Sequence, residues 1–78
     1  MAETEKEDLP KEVETCIAAL CSLREEVDAA EKYIKRLNCV DDELLKKVIQ
    51  HNLDEEVEHI ELLYEWLRRY CPAFKKAE

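Results

Sequence analysis

The sequence predicts an all-α fold, an antiparallel two-helix hairpin that dimerises into a four-helix bundle, and three observations lead there. The 78 residues contain no glycine and only two prolines, both near the ends, so the interior lacks the residues that most often form turns or break helices. Leu, Ile, Val and Ala recur at helical spacing among charged residues that make up 41% of the chain, an order that a disordered acidic segment would not keep. A chain this short also buries only a modest share of its surface, so a partner is expected.

The elements follow in order within a single domain, residues 1–78. Pro10 suits the first turn of a helix, Asp8 is a candidate cap before it, and Glu12 and Glu14 favour the positive end of the helix dipole. Helix one is expected over about residues 9–38, carried by Val13, Ile17, Leu20, Val27, Ile34 and Leu37, with Lys35 and Arg36 at its negative end and Asn38 as its stop. Asp41 or Asp42 then caps a second helix over about residues 42–70, running through Leu44, Leu45, Val48, Ile49, Ile60, Leu63 and Leu67 to Arg68, Arg69 and Pro72. A link this short forces the helices, each roughly 40 Å long at ~1.5 Å per residue, to run antiparallel. The remainder, 71–78, reads as a short tail with a frayed end. A hairpin has one line of contact with itself, so wide apolar stripes call for dimerisation.

The net charge of −8 argues against nucleic acid and anionic membranes as partners, and it suits cations. No apolar run approaches the ~20 residues of a membrane span, and the polar start lacks the cationic and apolar regions of a signal peptide, so the expected location is cytoplasmic. Cys16, Cys21, Cys39 and Cys71 form no C-x-x-C pair and read as reduced thiols, with zinc as the weaker alternative. No Ser-His-Asp order, phosphate loop or glycine-rich fingerprint is present.

Candidate chemistry emerges from the helix faces. Steps of four and three along helix two trace Leu45, Ile49, Asn52, Glu56, His59, Leu63, Trp66 and Tyr70, polar in the middle and apolar on both flanks. Helix one offers Cys16, Ala19, Leu23, Glu26, Ala30, Tyr33 and Leu37, with one carboxylate at its centre. In a hairpin turning near residues 38–42, Glu26 lies level with residues 53–56. Buried like charges are costly without a cation or protons, so this meeting of carboxylates points to metal. Glu56 and His59 have the Glu-x-x-His spacing that sets a carboxylate and an imidazole one turn apart on one face. Alone that spacing is common on solvated acidic helices; its position in the seam, level with Glu26, is what distinguishes it. In carboxylate-bridged ferritin-like bundles two helices each supply a Glu and two others each supply Glu-x-x-His, so one chain carries half of that set and a two-fold dimer the whole. A slip of one position would bring Glu55 or Glu25 inward instead. Tyr33 and Asn52 are candidates for hydrogen bonding around the ligands, though buried Tyr and Asn are as often structural. His51 lies one residue off the seam, and Trp66, Tyr70 and Tyr64 read as packing residues.

With those residues in view, the chain resembles the encapsulated ferritins, ferritin-like proteins held inside encapsulin nanocompartments. The resemblance is strongest over HN-x-DEE-x-EH at residues 51–59 and over Glu65, Trp66, Leu67, Arg68 and Arg69, and extends more loosely back through Glu25, Glu26 and Tyr33. It implies a helical hairpin whose dimer completes a di-iron ferroxidase centre, with dimers assembling into a ring. The family's metal ligands fall on Glu26, Glu56 and His59, and two acidic positions at the metal approach, or a secondary metal site, fall on Glu25 and Asp28. The second is shortened from Glu to Asp. Lys32 stands where relatives carry tryptophan, and the cysteines are outside the family pattern. The chain ends at Glu78 without the extension that carries the encapsulin-docking peptide, which fits either a shortened form or a protein that works without an encapsulin. It also curtails the short third helix of relatives.

The function these readings lead to is oxidation of Fe(II) to Fe(III) by dioxygen at a site shared by two subunits, serving iron storage or detoxification with a separate container, inside an encapsulin compartment if one is the partner. Glu26, Glu56 and His59 act as catalytic ligands, and other divalent metals are possible in iron's place. The alternatives are a non-enzymatic module that holds zinc, manganese or calcium, and a structural dimerising hairpin.

Overall fold

The computed structural model describes residues 9–75, so the candidate cap Asp8 and the last three residues of the expected tail lie outside the described residues. Helix α1 spans Lys11–Cys39, helix α2 Glu43–Tyr70, and a single turn, α3, Pro72–Lys75; no strand occurs among the described residues.

Pro10 stands at the N-cap of α1 in extended geometry and offers no side-chain cap, so the start of this helix rests on Glu12 and Glu14 beside the positive end of the dipole. Its end comes at Cys39, one residue beyond Asn38, whose side-chain amide donates instead to the Ile34 carbonyl at 3.3 Å. The turn is built without glycine because it needs none: Val40 (φ −103°, ψ 135°) and Asp42 (φ −70°, ψ 122°) are both extended, and no described residue has positive φ. Of the two aspartates, Asp42 is the cap, its Oδ1 accepting from the Leu45 amide at 2.8 Å.

The contact between helices is the seam of small and half-buried side chains on α1. Cys16 and Ala30 are buried, and Ala19, Leu23, Glu26, Tyr33 and Leu37 half-buried. Facing them on α2, Ile49 and Leu67 are buried and Asn52, Glu56, Leu63 and Trp66 half-buried, while Leu45, His59 and Tyr70 stand open at the rim. A second stripe on α1, Val13, Ile17, Leu20, Val27 and Ile34, recurs at steps of four, three, seven and seven residues and remains exposed, as do Leu45, Val48 and Leu62 on α2. The described chain is a slab with extents of 52 × 31 × 16 Å. Its radius of gyration, 17.0 Å, exceeds the about 11–12 Å of a globular chain of this length, so apolar area is left for another surface to cover.

The stretch after α2 differs from the expected frayed tail. Cys71 is buried and its amide closes on the Leu67 carbonyl at 2.9 Å; Pro72 opens α3, and the Phe74 and Lys75 amides return to the Cys71 carbonyl at 2.9 and 3.1 Å. Phe74 holds this turn in place by packing on Cys16, Leu67 and Cys71, the cluster around the most buried side chain of the hairpin.

Leu67, 0% exposed, anchors the open end of the hairpin. Leu67→Ala should cost about 2–5 kcal/mol and Asp42→Ala about 1 kcal/mol, whereas Leu44→Ala, on the solvent face, should stay within about 0.5 kcal/mol. Urea titrations followed by circular dichroism at fixed protein concentration measure all three, and an equal loss for Leu44→Ala and Leu67→Ala would contradict this packing.

Candidate metal centre

Glu26 lies midway along α1, and Glu56 and His59 lie one turn apart on α2, so the hairpin register alone decides whether they meet. They do. One oxygen from each glutamate and one ring nitrogen of His59 lie within 4.8 Å of one another. His59 Nδ1 is 3.4 Å from Glu26 Oε1 and 3.6 Å from Glu56 Oε1. Donor atoms around one ion bound at about 2.0–2.2 Å stand roughly 3–4 Å apart, so the spacing is slightly open but of the right size.

The three side chains grade from inside to outside. Glu56 is 18% exposed, Glu26 30% and His59 51%. Glu56 Oε1 is closed off from solvent and has no hydrogen-bond donor. An anionic oxygen in that position lacks what buried acceptors ordinarily receive, and a cation or a proton would supply it. The chemistry of the donor set, two carboxylates and one imidazole, suits a divalent transition metal.

Proton affinities record the same crowding. A hydrogen bond shared with Glu26, then burial and the charge of Glu26, push the Glu56 carboxyl above its ordinary value, with His59 opposing. The same shared hydrogen bond, helped by His59 and opposed by burial, lowers Glu26. That bond exists only while one carboxyl is protonated; with both ionised, Glu56 Oε1 has no donor. His59 is raised, first by its hydrogen bond to Glu26, against burial, and further by the charges of both glutamates. The cluster thus holds cationic charge more firmly than its members would separately.

A cavity of about 350 Å³ opens on this cluster, lined by Ser22, Glu26, His59, Leu62 and Leu63. Ser22, one turn before Glu26, was not singled out by the seam pattern because it lies at its edge; the i, i+4 spacing to Glu26 is the signal that points to it. Glu25 and Asp28 do not join the cluster. With Ala29, Lys32, Tyr33 and Arg36 they line a separate cavity of about 340 Å³. Tyr33 lies there under the Arg36 guanidinium, 5.4 Å from ring centre, instead of bonding to a glutamate of the cluster. Asn52 is half-buried one turn before Glu56, and among the described residues no hydrogen bond joins its side chain to Glu26, Glu56 or His59. His51 pairs with Glu55 on the outer face at 3.3 Å, which leaves Glu56 as the glutamate of that pair that faces α1.

The chain is similar to several known proteins. The chain is 44% identical over 61 residues to a ferritin-like protein of Thermotoga maritima, an alignment covering 78% of this chain and 54% of that protein. It is 41% identical over 51 residues to an encapsulated ferritin-like protein of Rhodospirillum rubrum, covering 65% and 36%. The chain thus spans about half the length, or less, of these curated relatives. A crystal structure of a protein from Nitrosomonas europaea superposes with a TM-score of 0.82 at 43% identity, covering 92% of this chain and 80% of that one. The EncFtn-like family profile matches residues 1–77, and by this match and these likenesses the chain belongs to the EncFtn-like family of encapsulated ferritin-like proteins.

Proposed function

We propose that two copies of this chain pair about a two-fold axis to complete a di-iron ferroxidase centre, to which each copy contributes Glu26, Glu56 and His59. The observation that carries the reading is Glu56 Oε1, sealed from solvent without a donor beside a second carboxylate and an imidazole. The half-open geometry supports a shared site: His59 and Glu26 border a cavity that other groups must close, and the apolar stripes offer area for a second copy. Dimers assembling into a ring, and an encapsulin shell as the container for oxidised iron, extend this proposal by likeness to the family.

Ferrous ions are the substrate, each giving up one electron to dioxygen. Glu26 and Glu56 favour the product, because two carboxylates stabilise a trivalent ion more than a divalent one. His59 supplies a neutral donor when its Nδ1 is unprotonated, and the half-buried Leu63 gives the cavity an apolar wall. Glu25 and Asp28 act, by likeness to the family, as carboxylates of the metal approach; they share their cavity with Lys32 and Arg36 and lie outside the centre.

Three outcomes test the proposal. Oxygen-electrode traces on Fe(II) addition should record rapid uptake for the wild-type chain and a loss of at least about tenfold, roughly 1.4 kcal/mol of barrier, for Glu56→Ala and His59→Ala, with helical content unchanged. Metal binding without oxygen uptake would favour the non-enzymatic alternative, and no stoichiometric metal at all the structural one. For the pair Glu25→Ala/Asp28→Ala, stopped-flow absorbance should reveal an altered oxidation rate with weaker salt dependence while iron still binds the centre; loss of that iron would make one of them a ligand.

The third outcome concerns pH. Glu56 and His59 both bind protons more tightly in the folded chain than at their ordinary 4.5 and 6.5, so their contribution is present at low pH and is lost as pH rises through the folded-state values. Glu26, shifted the other way, opposes this only below its ordinary 4.5. Metal-free protein should therefore melt at a higher temperature near about pH 5.5 than near about pH 8, and zinc, a redox-inert probe that competes with those protons, should reverse the order. A Glu56→Gln/His59→Ala chain that keeps the wild-type metal-free profile would trace the effect to other groups.

A further inference from the structure

The sequence carries four cysteines, and the helix pattern gives no reason for two of them to meet. In the fold they do. Cys16, in the second turn of α1, and Cys71, the residue between α2 and α3, are both buried, 7% and 4% exposed, in one cluster with Leu67 at the open end of the hairpin. Cys21 and Cys39 are exposed and belong to no such pair.

The two thiols are neighbours in the fold, packed in one buried cluster and bordering one cavity. A disulfide between them asks for sulfurs at about 2.05 Å, a bond that neighbouring side chains reach by rotation. An apolar cavity of about 250 Å³, walled by Val13, Ile17, Leu20 and Pro72, opens on both residues and is wide enough for a small uncharged oxidant. The Cys71 sulfur, together with burial, holds the Cys16 proton up to about 11, so Cys16 remains a thiol at neutral pH.

We propose that Cys16 and Cys71 are a modification site, a dithiol that hydrogen peroxide converts to an intrachain disulfide joining α1 to the start of α3. In the first step one sulfur of the pair attacks a peroxide oxygen, the O–O bond breaks, and that cysteine becomes a sulfenic acid as water leaves. In the second, the other sulfur attacks the sulfenic sulfur, expels the hydroxyl as a second water with its own proton, and forms the S–S bond. Two thiols lose one electron each and one peroxide gains both. The bond closes a loop containing both helices and the turn, which constrains the unfolded chain and clamps the end of the hairpin farthest from the Val40–Asp42 turn.

The test uses the full chain carrying Cys21→Ser and Cys39→Ser, which change only exposed residues, freed of metal with a chelator and exposed to a modest excess of hydrogen peroxide. The expected product is a monomeric chain lighter by two hydrogens, with both thiols lost to alkylation, a Cys16–Cys71 linked peptide in the non-reducing map, and full reversal by dithiothreitol. Its melting temperature should rise by about 10 °C or more. Mass gain from oxygen without a linked peptide, cross-linking between chains, or thiols that survive while the urea-unfolded chain reacts would each overturn the proposal.

Discussion

A carboxylate oxygen closed off from water and given no donor is the constraint on which the rest of this structure depends. Glu56 Oε1 occupies that position because the seam of α2 turns polar at its centre, and the antiparallel register brings Glu26 across from it. Leucine in place of Glu56 would be a simpler solution for packing. The hairpin instead keeps two acids and an imidazole where the helices touch, in a seam that mixes the small Cys16, Ala19 and Ala30 with the larger Leu23, Tyr33, Leu63 and Trp66. The antiparallel register of the helices brings the three polar groups within reach of one another.

Helix α1 has two apolar stripes. The inner one carries Cys16, Ala19, Leu23, Ala30 and Leu37 and meets α2; the outer one carries Val13, Ile17, Leu20, Val27 and Ile34 and faces outward. Fully burying side chains of that size stabilises by about 1.5–3 kcal/mol each, and these five keep between 37% and 50% of their surface open, so part of that free energy is not gained within one chain. The hairpin supplies the arrangement of the centre, and the proposed pairing of two copies would add to its stability.

Much of this was legible from residue order. The absence of glycine, the two flanking prolines and the four-three spacing led to two antiparallel helices, and counting from the turn put Glu26 level with the region of Glu56. What escaped was whatever depends on how the chain behaves beyond a helix end. Cys71 and Phe74 looked like tail because spacing says nothing about a segment that reverses after Pro72 and packs onto Cys16, a contact between residues at opposite ends of the sequence. The two stripes of α1 also ran together on paper: Val13 and Leu37 belong to one helical rhythm, yet only Leu37 meets α2, because a helix packed on one neighbour can bury only one flank. Tyr33 read either as a hydrogen-bonding neighbour of the glutamates or as a structural residue, and spacing alone did not point to the Arg36 guanidinium one turn away that lies over its ring.

A slab 16 Å thick has a further consequence, one of mass action. Its long-range pairing is a single hairpin, closed within one chain, so that step is first order in protein. Completion of a centre from two such slabs is second order in chain concentration. On the proposed pairing, a sparse population of hairpins would hold half-centres with unmatched ligands and turn over little iron, and activity per chain would climb as chains accumulate. Confinement of many copies in a small volume would then act as an activator, with no ligand or modification required.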